Sequence, residues 1–399
     1  MNQSPSPAFD RNIRAALAYW QDKLAGETVA AIDRDRHNLH RAVEFGLAVP
    51  VTERAAAEVA AAAFPFVFAS GYWREWLPLM ERAATIHSRL LPKAAFRVLT
   101  RLGQLRRLNR KLEEALAAHR QALALARELE EPLLLAEAHY HLGRALRDAY
   151  LYEQAEQHLQ AAWQIVEQLE GPEVEKVAAV VYNALGRVAH DCGRLEEAAR
   201  HLERAIALER KHGSLTTLTD ALHDLGNVHR ARAAFEAALA CFDEALSLLA
   251  GTGRRLNQAQ IQVGIGVLYF TQQDYARAEA AFREIDFSYL RETGQLHLQA
   301  IILNSLGNAL LYQSRHDEAA KLLEEAAALW RSLDDDLELA NTIGSRGEAL
   351  AGLGRAEEAE ALFAEALALL APFPHSAKAA RLRAFFTAER EKVAGQASG

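Results

Sequence analysis

The sequence predicts an all-α protein built as a row of helical hairpins, and three observations lead to this fold. Alanine and leucine together make more than a third of the chain of 399 residues, and both are strong helix formers. Glycine and proline are scarce, with 22 and 10 residues. Seven glycines recur with a regular spacing of about 40 residues, which is typical of stacked helical repeats. A row of small cores also suits a chain too long for one ordinary core.

The chain opens with two elements that the regular repeat does not cover. Residues 1–49 are predicted to form an N-terminal helical adaptor segment, because they are helical in pattern but lack the spaced glycine. Residues 50–95 are predicted to form a degenerate helical repeat, with helix A over 53–68 and helix B over 72–90. Trp76 stands there in place of an alanine, which suits a wider contact at the end of a stack.

Residues 96–371 contain seven repeats of about 40 residues. Counted from the glycine, position +12 is alanine in all seven repeats and position +19 is alanine in six, the exception being Ile285. Small residues on both helices let the two backbones approach closely, and each hairpin needs its neighbours to bury its apolar face. Gly193 and Gly354 are predicted C-cap residues of two A helices. The repeat glycines are Gly103, Gly143, Gly186, Gly226, Gly266, Gly307 and Gly347.

Two prolines end the array, since proline disrupts a helix interior; they are Pro372 and Pro374. Residues 372–399 are predicted to form a capping helix and tail. Three side chains of that helix are available to cover the last exposed helical face, namely Ala380, Phe385 and Phe386.

The recurring Leu-Gly, Ala and Ala positions resemble the tetratricopeptide repeat over residues 96–371, although their period is longer than the one usual for that repeat. This resemblance implies a right-handed superhelix, an α-solenoid with an N-terminal helical adaptor and a C-terminal capping helix. Such solenoids bind their ligands on the concave face.

The N-terminal segment carries a second resemblance, at Asp35, Asn38, Leu39, Arg41 and Ala42. These residues are similar to a helix that links the nucleotide-binding core to the superhelical sensor in signal-transduction ATPases with numerous domains, the STAND family. The resemblance implies an inducer-binding sensor whose ligand favours an open, oligomerising ATPase. The sequence contains no Gly-x-x-x-x-Gly-Lys-Ser/Thr motif. The chain is therefore expected to be either a sensor fragment of a longer protein that contains the ATPase core, or a stand-alone relative that works with the ATPase core of a partner chain.

Composition and charge argue against several functions. A net charge of −8 argues against a general nucleic-acid binder, which would carry a basic footprint. No apolar run approaches the ~18 residues of a membrane span, and the N-terminus lacks a secretory signal pattern. Two cysteines in no CxxC spacing predict neither a disulfide framework nor a zinc site, and nothing resembles a nucleophile elbow. We therefore expect a cytoplasmic, non-enzymatic protein without metal, cofactor, membrane or direct nucleic-acid contact.

The predicted ligand site is a stripe on the A helices. Residues at −3, +1 and +4 from each glycine share one helix face, which by resemblance lines the inner groove. The stripe holds five arginines, no lysine and a single acid, Glu348, and it turns apolar in the fifth repeat. Arginine can bind a carboxylate bidentately, and asparagine can pair with a peptide backbone. The predicted ligand-binding residues are Arg107, Tyr140, Arg144, Arg147, Asn183, Arg187, His190, His223, Asn227, Arg230, Phe270, Asn304 and Asn308.

From this stripe we expect a ligand-sensing or protein-interaction domain for an anionic or carboxylate-bearing ligand. That ligand would be a peptide, a protein segment or a small inducer, with Phe270 contacting an apolar part. The simplest alternative is that the stripe is a solvated polar face. Two alternative functions are a stand-alone scaffold or adaptor that docks a protein partner, and a peptide-pheromone receptor. A deep closed pocket favours a small inducer, whereas a long open groove favours a scaffold.

Overall fold

A computed structural model describes residues 7–212, 215–373 and 377–397. Over these residues the chain forms 22 α-helices and no β-strand, so the predicted all-α fold is confirmed. The chain divides into two compact units, Met1–Gln258 and Ala259–Gly399. None of the helices described has both the length and the apolar character needed to cross a membrane.

The N-terminal helices pack on the degenerate repeat. The core that joins them includes Trp20, Leu39, Val43, Val59 and Trp76, all almost fully buried. The helix predicted over 53–68 is interrupted at Ala63, where a new helix begins. The helices are α1 (Pro7–Gly26), α2 (Val29–Arg34), α3 (Arg36–Ala48), α4 (Glu53–Ala62), α5 (Phe64–Ser70) and α6 (Trp73–Thr85), and a 3₁₀ turn follows at His87–Arg89.

The regular repeats of the first unit are pairs of A and B helices. Each of these A helices packs on its own B helix, and the first three B helices each pack on the next A helix. The pairs are α7 (Pro92–Leu108) with α8 (Leu112–Glu128), α9 (Pro132–Asp148) with α10 (Tyr152–Val166), α11 (Pro172–Asp191) with α12 (Leu195–His212), and α13 (Leu215–Ala231) with α14 (Phe235–Leu249). Helix α15 (Arg255–Thr271) is the A helix of the fifth repeat, and its residues from Ala259 onward belong to the second unit.

The second unit continues the pattern with one interruption. Helix B of the fifth repeat ends at Arg283, just before Ile285 replaces the second alanine, and a short helix follows it. The helices are α16 (Tyr275–Arg283), α17 (Phe287–Glu292), α18 (Leu296–Leu311), α19 (His316–Ser332), α20 (Asp336–Gly352), α21 (Ala356–Leu370) and α22 (Ala377–Ala397).

The repeat glycines make room for one B-helix side chain each. A Cβ atom placed on Gly226 would lie 2.5 Å from a ring carbon of Phe242, and one on Gly186 would lie 2.7 Å from Cγ of Leu202. The alanines at position +12 from the glycines are all fully buried. Close backbone approach therefore explains both the glycine and the alanine of the period.

The turn from helix A to helix B repeats the same backbone device. The residue at position +7 from the repeat glycine has a left-handed conformation in every repeat, which is a common way to end a helix. Gly193 and Gly354 both adopt it with φ of 76°, one residue after the cap residues Cys192 and Leu353, so the prediction that these glycines end two A helices is confirmed. The other repeats place non-glycine residues there, namely Arg110, Tyr150, Ala233, Gln273 and Ser314.

The capping helix α22 covers part of the face predicted for it. Phe386 is buried against Gly344, where an added Cβ would overlap its ring. Phe385 is 40% exposed, and Ala380 is exposed. The expectation that all three cover the last face is therefore wrong for two of them, because the buried side of α22 carries Ala379, Leu382 and Phe386 instead.

Candidate functional site: a charged strip in the first unit

Most of the predicted site residues lie on the A helices α7, α9, α11 and α13 of the first unit. The structure connects neighbouring A helices there through a row of charged and amide side chains, which we call the charged strip. Its members from the predicted set are Arg107, Tyr140, Arg144, Arg147, Asn183, Arg187, His190, His223, Asn227 and Arg230. The remaining predicted residues, Phe270, Asn304 and Asn308, lie in the second unit.

Arginines of the strip pair with aspartates on the next A helix. Nη1 of Arg107 lies 2.6 Å from Oδ2 of Asp148, and Nε of Arg147 lies 2.6 Å from Oδ2 of Asp191. The first pair is deeply placed, with side-chain exposures of 10% and 18%. Burial alone would raise the pKa of Asp148, but the charges of Arg107, Arg147 and Arg187 hold it well below its usual value.

A third cluster joins α11 to α13 around Asp224. The amide of Asn183 donates a hydrogen bond of 3.0 Å to its Oδ2, and Nε of Arg187 lies 3.7 Å from the same oxygen. Although burial opposes it, the nearby Arg187 charge keeps the pKa of Asp224 well below normal. The carboxyl of Asp220 differs, since burial and the charge of Asp224 raise its pKa to about 6.

The histidines and the second asparagine of the strip are bound locally. Nδ1 of His190 lies 3.5 Å from Asp191, and Nδ1 of His223 lies 3.7 Å from Asp224. The amide of Asn227 donates to the backbone oxygen of His223 at 3.2 Å. These contacts use part of the hydrogen-bonding capacity that the sequence assigned to a ligand.

Arg144 differs from the arginines that face an aspartate, because its side chain contacts a tyrosine instead. Its Nη1 donates to the hydroxyl oxygen of Tyr140 at 2.8 Å, and its guanidinium carbon lies 5.4 Å from the centre of the Tyr140 ring. Among the described residues, no carboxylate lies within ion-pair distance of Arg144, although its charge acts on the partly buried Asp220 and opposes the rise in the pKa of that carboxyl. The guanidinium has five N–H donors in a planar fork, so donors remain available beside the tyrosine.

The strip is therefore mixed in charge. Taken alone, the −3, +1 and +4 positions suggest a basic strip. The aspartates lie at +5 or −2 from their glycines, outside the −3, +1 and +4 positions. They reach the strip because each one belongs to the next A helix and faces an arginine of the preceding one.

A cleft of about 320 Å³ opens beside the strip, between the N-terminal halves of α7, α9 and α11. Tyr140 is shared by the cleft and the strip. The other lining residues include Phe96, Arg97, Thr100, Arg101, Glu137, His141, Val177 and Val180. A second cavity of about 560 Å³ lies between α1 and α3 and is lined by Phe9, Tyr19, Trp20, Asp35, Asn38 and Phe45.

The three predicted residues of the second unit occupy different settings. Phe270 packs edge-on against Tyr275 and Tyr312, with ring centres 5.4 and 5.5 Å away. Oδ1 of Asn304 accepts a 3.0 Å hydrogen bond from the hydroxyl of Thr342. Asn308 is partly buried. Across the described parts of the chain, no cluster of three or more His, Cys, Asp or Glu residues is arranged to hold a metal ion.

Protein-family models match the part of the chain that carries the spaced glycines. Models described as tetratricopeptide repeat match residues 98–133, 135–173, 178–214, 217–285 and 298–371, which together cover more than half of the chain. The chain is a tetratricopeptide-repeat protein. The fold class predicted from the spaced glycines agrees with this assignment.

Solved structures of this fold resemble the chain at low sequence identity. A Rap protein complexed with competence and sporulation factor aligns with a TM-score of 0.56 and 14% identity, covering 85% of this chain and 99% of that one. NprR in complex with its cognate peptide NprX aligns at 0.50 and 16%, covering 71% and 82%. A STAND protein with a tetratricopeptide-repeat sensor from Pyrococcus horikoshii aligns at 0.53 and 12%, covering 81% and 53%.

A curated relative shares sequence over a shorter stretch. Protein KINESIN LIGHT CHAIN-RELATED 1 of Arabidopsis thaliana is 28% identical over 159 residues, which are 39% of this chain. The match spans 26% of that relative's length. Like the structures, this relative supports the repeat fold, and repeats of this kind are protein-interaction domains.

Proposed function

We propose that this repeat protein binds an extended peptide or protein segment along the charged strip, and that Arg144 holds a carboxylate of that segment. The observation that carries the proposal is the contrast between Arg144 and its neighbours. Arg107, Arg147 and Arg187 each face an aspartate, whereas Arg144 rests on Tyr140 with no carboxylate of the described residues within ion-pair distance. A ligand carboxylate would complete the missing pair.

The mixed charge of the strip favours a peptide over a simple anion. An anion brought near the strip meets Asp148, Asp191 and Asp224, which remain ionised because their pKa values are lowered. A peptide offers backbone N–H and C=O groups in alternation, which amides and mixed charges can pair with. The solved neighbours include NprR in complex with its cognate peptide NprX, which supports a peptide ligand in this fold.

The experiment compares Arg144→Ala with the unaltered chain against a library of short peptides that have a free or an amidated C-terminus. Peptides that raise the thermal midpoint of the unaltered chain should bind Arg144→Ala about tenfold or more weakly, as measured by calorimetry, because a charge-assisted pair is lost. Amidation should cost a similar factor in the unaltered chain.

The matched control is Arg200→Ala, which removes an exposed arginine from the B helix α12. It should bind the same peptides as tightly as the unaltered chain. Equal affinity of Arg144→Ala for every bound peptide, or the absence of any bound peptide, would overturn the proposal.

We further propose that the strip is the inducer-binding part of a STAND-type sensor without catalytic activity of its own. The support is the N-terminal resemblance and the fold shared with a STAND sensor. Leu39 and Ala42 of that segment are buried, while Asp35 and Asn38 line the 560 Å³ cavity. Sequencing the locus tests this, since a P-loop ATPase domain should be encoded in the same reading frame or in a neighbouring gene. A locus without such a domain would favour the scaffold or peptide-receptor alternatives.

A further inference from the structure

The cleft between α7, α9 and α11 has the dimensions and walls of a small-molecule site. Its volume of about 320 Å³ lies at the lower end of the range of ~300–1,000 Å³ that such sites occupy. Apolar side chains form part of the wall, and charged or polar groups converge on the rest. The apolar members are Phe96, Leu133, Val177 and Val180.

Five charged side chains line this cleft: Arg97, Glu173 and Lys176 are exposed, whereas Arg101 and Glu137 are partly buried. Lys176 pairs with Glu173 at 2.7 Å. Nη1 of Arg101 donates to Oε1 of Gln104 at 2.9 Å, and its guanidinium lies over the ring of Phe64. Glu137 lies on the opposite helix, α9. Among the described residues, no ion pair is formed by Arg101 or Glu137. Burial lowers the pKa of Arg101 and raises that of Glu137, and the attraction between the two charges opposes both shifts only in part.

The cleft also contains a hydroxyl that lacks a partner. Thr100 is 4% exposed, and its Oγ1 is buried without a hydrogen bond among the described residues. Buried polar groups in folded proteins are nearly always paired, so this hydroxyl marks a place where a ligand atom would supply the missing hydrogen bond. Beside it, the Gln104 amide lies 2.9 Å from Nδ1 of His141. The polar wall of the cleft is thus held in place by hydrogen bonds, while the hydroxyl of Thr100 lacks one among the described residues.

We propose that this cleft binds a small zwitterion, either an amino-acid derivative or a short peptide with free ends. Its carboxylate pairs with Arg101, its ammonium group pairs with Glu137, and one of its polar atoms hydrogen-bonds Thr100. If the ligand were a simple anion, Glu137 would remain partly buried without an ion-pair partner. If it were a simple cation, Arg101 would remain without one. The exposed Arg97 at the rim adds a second donor for the carboxylate. This site goes beyond the peptide binding proposed above, since Arg101, Glu137 and Thr100 are not members of the charged strip, and Tyr140 alone borders both.

The experiment uses the full chain and a defined probe set of the twenty common amino acids and their di- and tripeptides. Each probe is tested with free ends, with an acetylated amino end and with an amidated carboxyl end. At least one free-ended probe should bind with Kd of about 1 mM or tighter by calorimetry, and blocking either end should weaken binding about tenfold or more. Failure of every free-ended probe, or equal binding of the blocked forms, would refute the site.

Three substitutions assign the binding to this cleft. Arg101→Met and Glu137→Gln should each weaken the best probe about tenfold or more, and Thr100→Val, which keeps the side-chain shape, should weaken it to a smaller extent. The control is Lys93→Met, an exposed position on α7 outside the cleft. Circular dichroism checks that each variant is folded. Unchanged affinity in both folded charge variants would place the probe elsewhere.

The two proposals fail separately. Arg101→Met should leave the binding of a carboxyl-ended strip peptide unchanged, while Arg144→Ala weakens that peptide. If the strip peptide binds but no zwitterion does, the cleft proposal alone is wrong. If zwitterions bind but no strip peptide does, the strip proposal alone is wrong.

Discussion

His119 lies directly against Gly103, where a Cβ atom on the glycine would come within 2.5 Å of the imidazole ring. Every other repeat fills the same place, position +16 from the glycine, with a leucine or a phenylalanine. His119 is 1% exposed, and both of its ring nitrogens are buried without a hydrogen-bond partner among the described residues. The apolar residues in the equivalent places are Leu159, Leu202, Phe242, Phe282, Leu323 and Phe363.

Replacing His119 with leucine should stabilise the protein. The change removes two buried ring nitrogens that have no hydrogen-bond partner among the described residues. Leaving a buried polar group unpaired costs about 1–3 kcal/mol. Leucine is also the residue at the equivalent place in the next repeat. Urea unfolding should show a higher free energy of unfolding for His119→Leu. The reverse change one repeat later, Leu159→His, should destabilise by a similar amount. A His119→Leu variant no more stable than the unaltered chain would contradict this interpretation.

The same substitution should also reduce sensitivity to acid. Burial and the charges of Arg107 and Arg144 lower the pKa of His119 to about 3, against 6.5 in the ordinary state. Between these pH values the unfolded chain binds a proton that the folded chain does not, so the free energy of unfolding falls as pH falls. The advantage of His119→Leu should therefore grow from pH 7.5 to pH 5. The neighbouring His141 shifts in the same direction and is present in both proteins.

Breaking the pair between Arg107 and Asp148 should cost more stability than breaking an exposed pair. Asp148→Ala leaves the guanidinium of Arg107 buried without its partner, which typically costs about 3–5 kcal/mol. The control, Asp317→Ala, breaks the pair with Lys321, whose two side chains are 66% and 70% exposed, and should change the stability far less, because water screens an exposed pair.

A double variant separates the charge from the packing at this pair. Replacing both partners, as Arg107→Met with Asp148→Leu, removes the unpaired charge and should recover much of the loss. Chemical denaturation of the four proteins measures these differences. Equal losses for Asp148→Ala and Asp317→Ala would mean that the deeper pair is as solvated as the surface one.

The parts of the fold that follow from close backbone approach could be predicted from the sequence. Steric contact allows only glycine or alanine at such places, so each repeat carries the same residues at the same spacing, as at Gly226 and Ala238. The aspartates of the strip could not be predicted in this way. Whether Asp148 contacts Arg107 depends on how far one A helix is shifted along its neighbour. The residue pattern on one helix face gives no information about that shift.

Two further features of the site had signals of different strength. The histidine at 119 breaks an otherwise apolar column, and comparing position +16 across the repeats would have found it. The unpaired Arg101 and Glu137 left no such mark, because charged residues on helices are common and their pairing depends on three helices at once. The predicted domain boundaries and the right-handed twist stay predictions.

Gly344→Ala should loosen the capping helix α22. A methyl group at this position would overlap the buried ring of Phe386, and overpacking of this kind costs about 1–3 kcal/mol. Limited proteolysis should cut α22 faster in the variant, and adding Phe386→Ala should relieve the overlap. The control is Gly395→Ala on the same helix, where nothing lies within 4 Å, and which should be neutral or slightly stabilising. Equal cleavage rates for the two variants would contradict the proposed contact.

Glu348 should make the second unit less stable as the pH rises. This partly buried carboxyl on α20 forms no ion pair within the described chain, and burial together with Glu389 raises its pKa from 4.5 to about 7, although Lys392 opposes the shift. Between these values the folded protein holds a proton that the unfolded chain has lost. The free energy of unfolding therefore falls as pH rises through this window.

Glu348→Gln removes the ionisation and should stabilise the protein at pH 8 by roughly 1–3 kcal/mol, with a much smaller effect at pH 4.5, where the wild-type carboxyl is protonated in the folded state. The other groups facing the carboxyl, Glu389, Lys392 and Tyr312, are unchanged in the variant. The control Glu325→Gln, at an exposed position, should show no such difference between the two pH values. Thermal midpoints measured at both values decide the matter, since a stabilisation independent of pH would show that the amide gains a contact rather than that the carboxylate loses a proton.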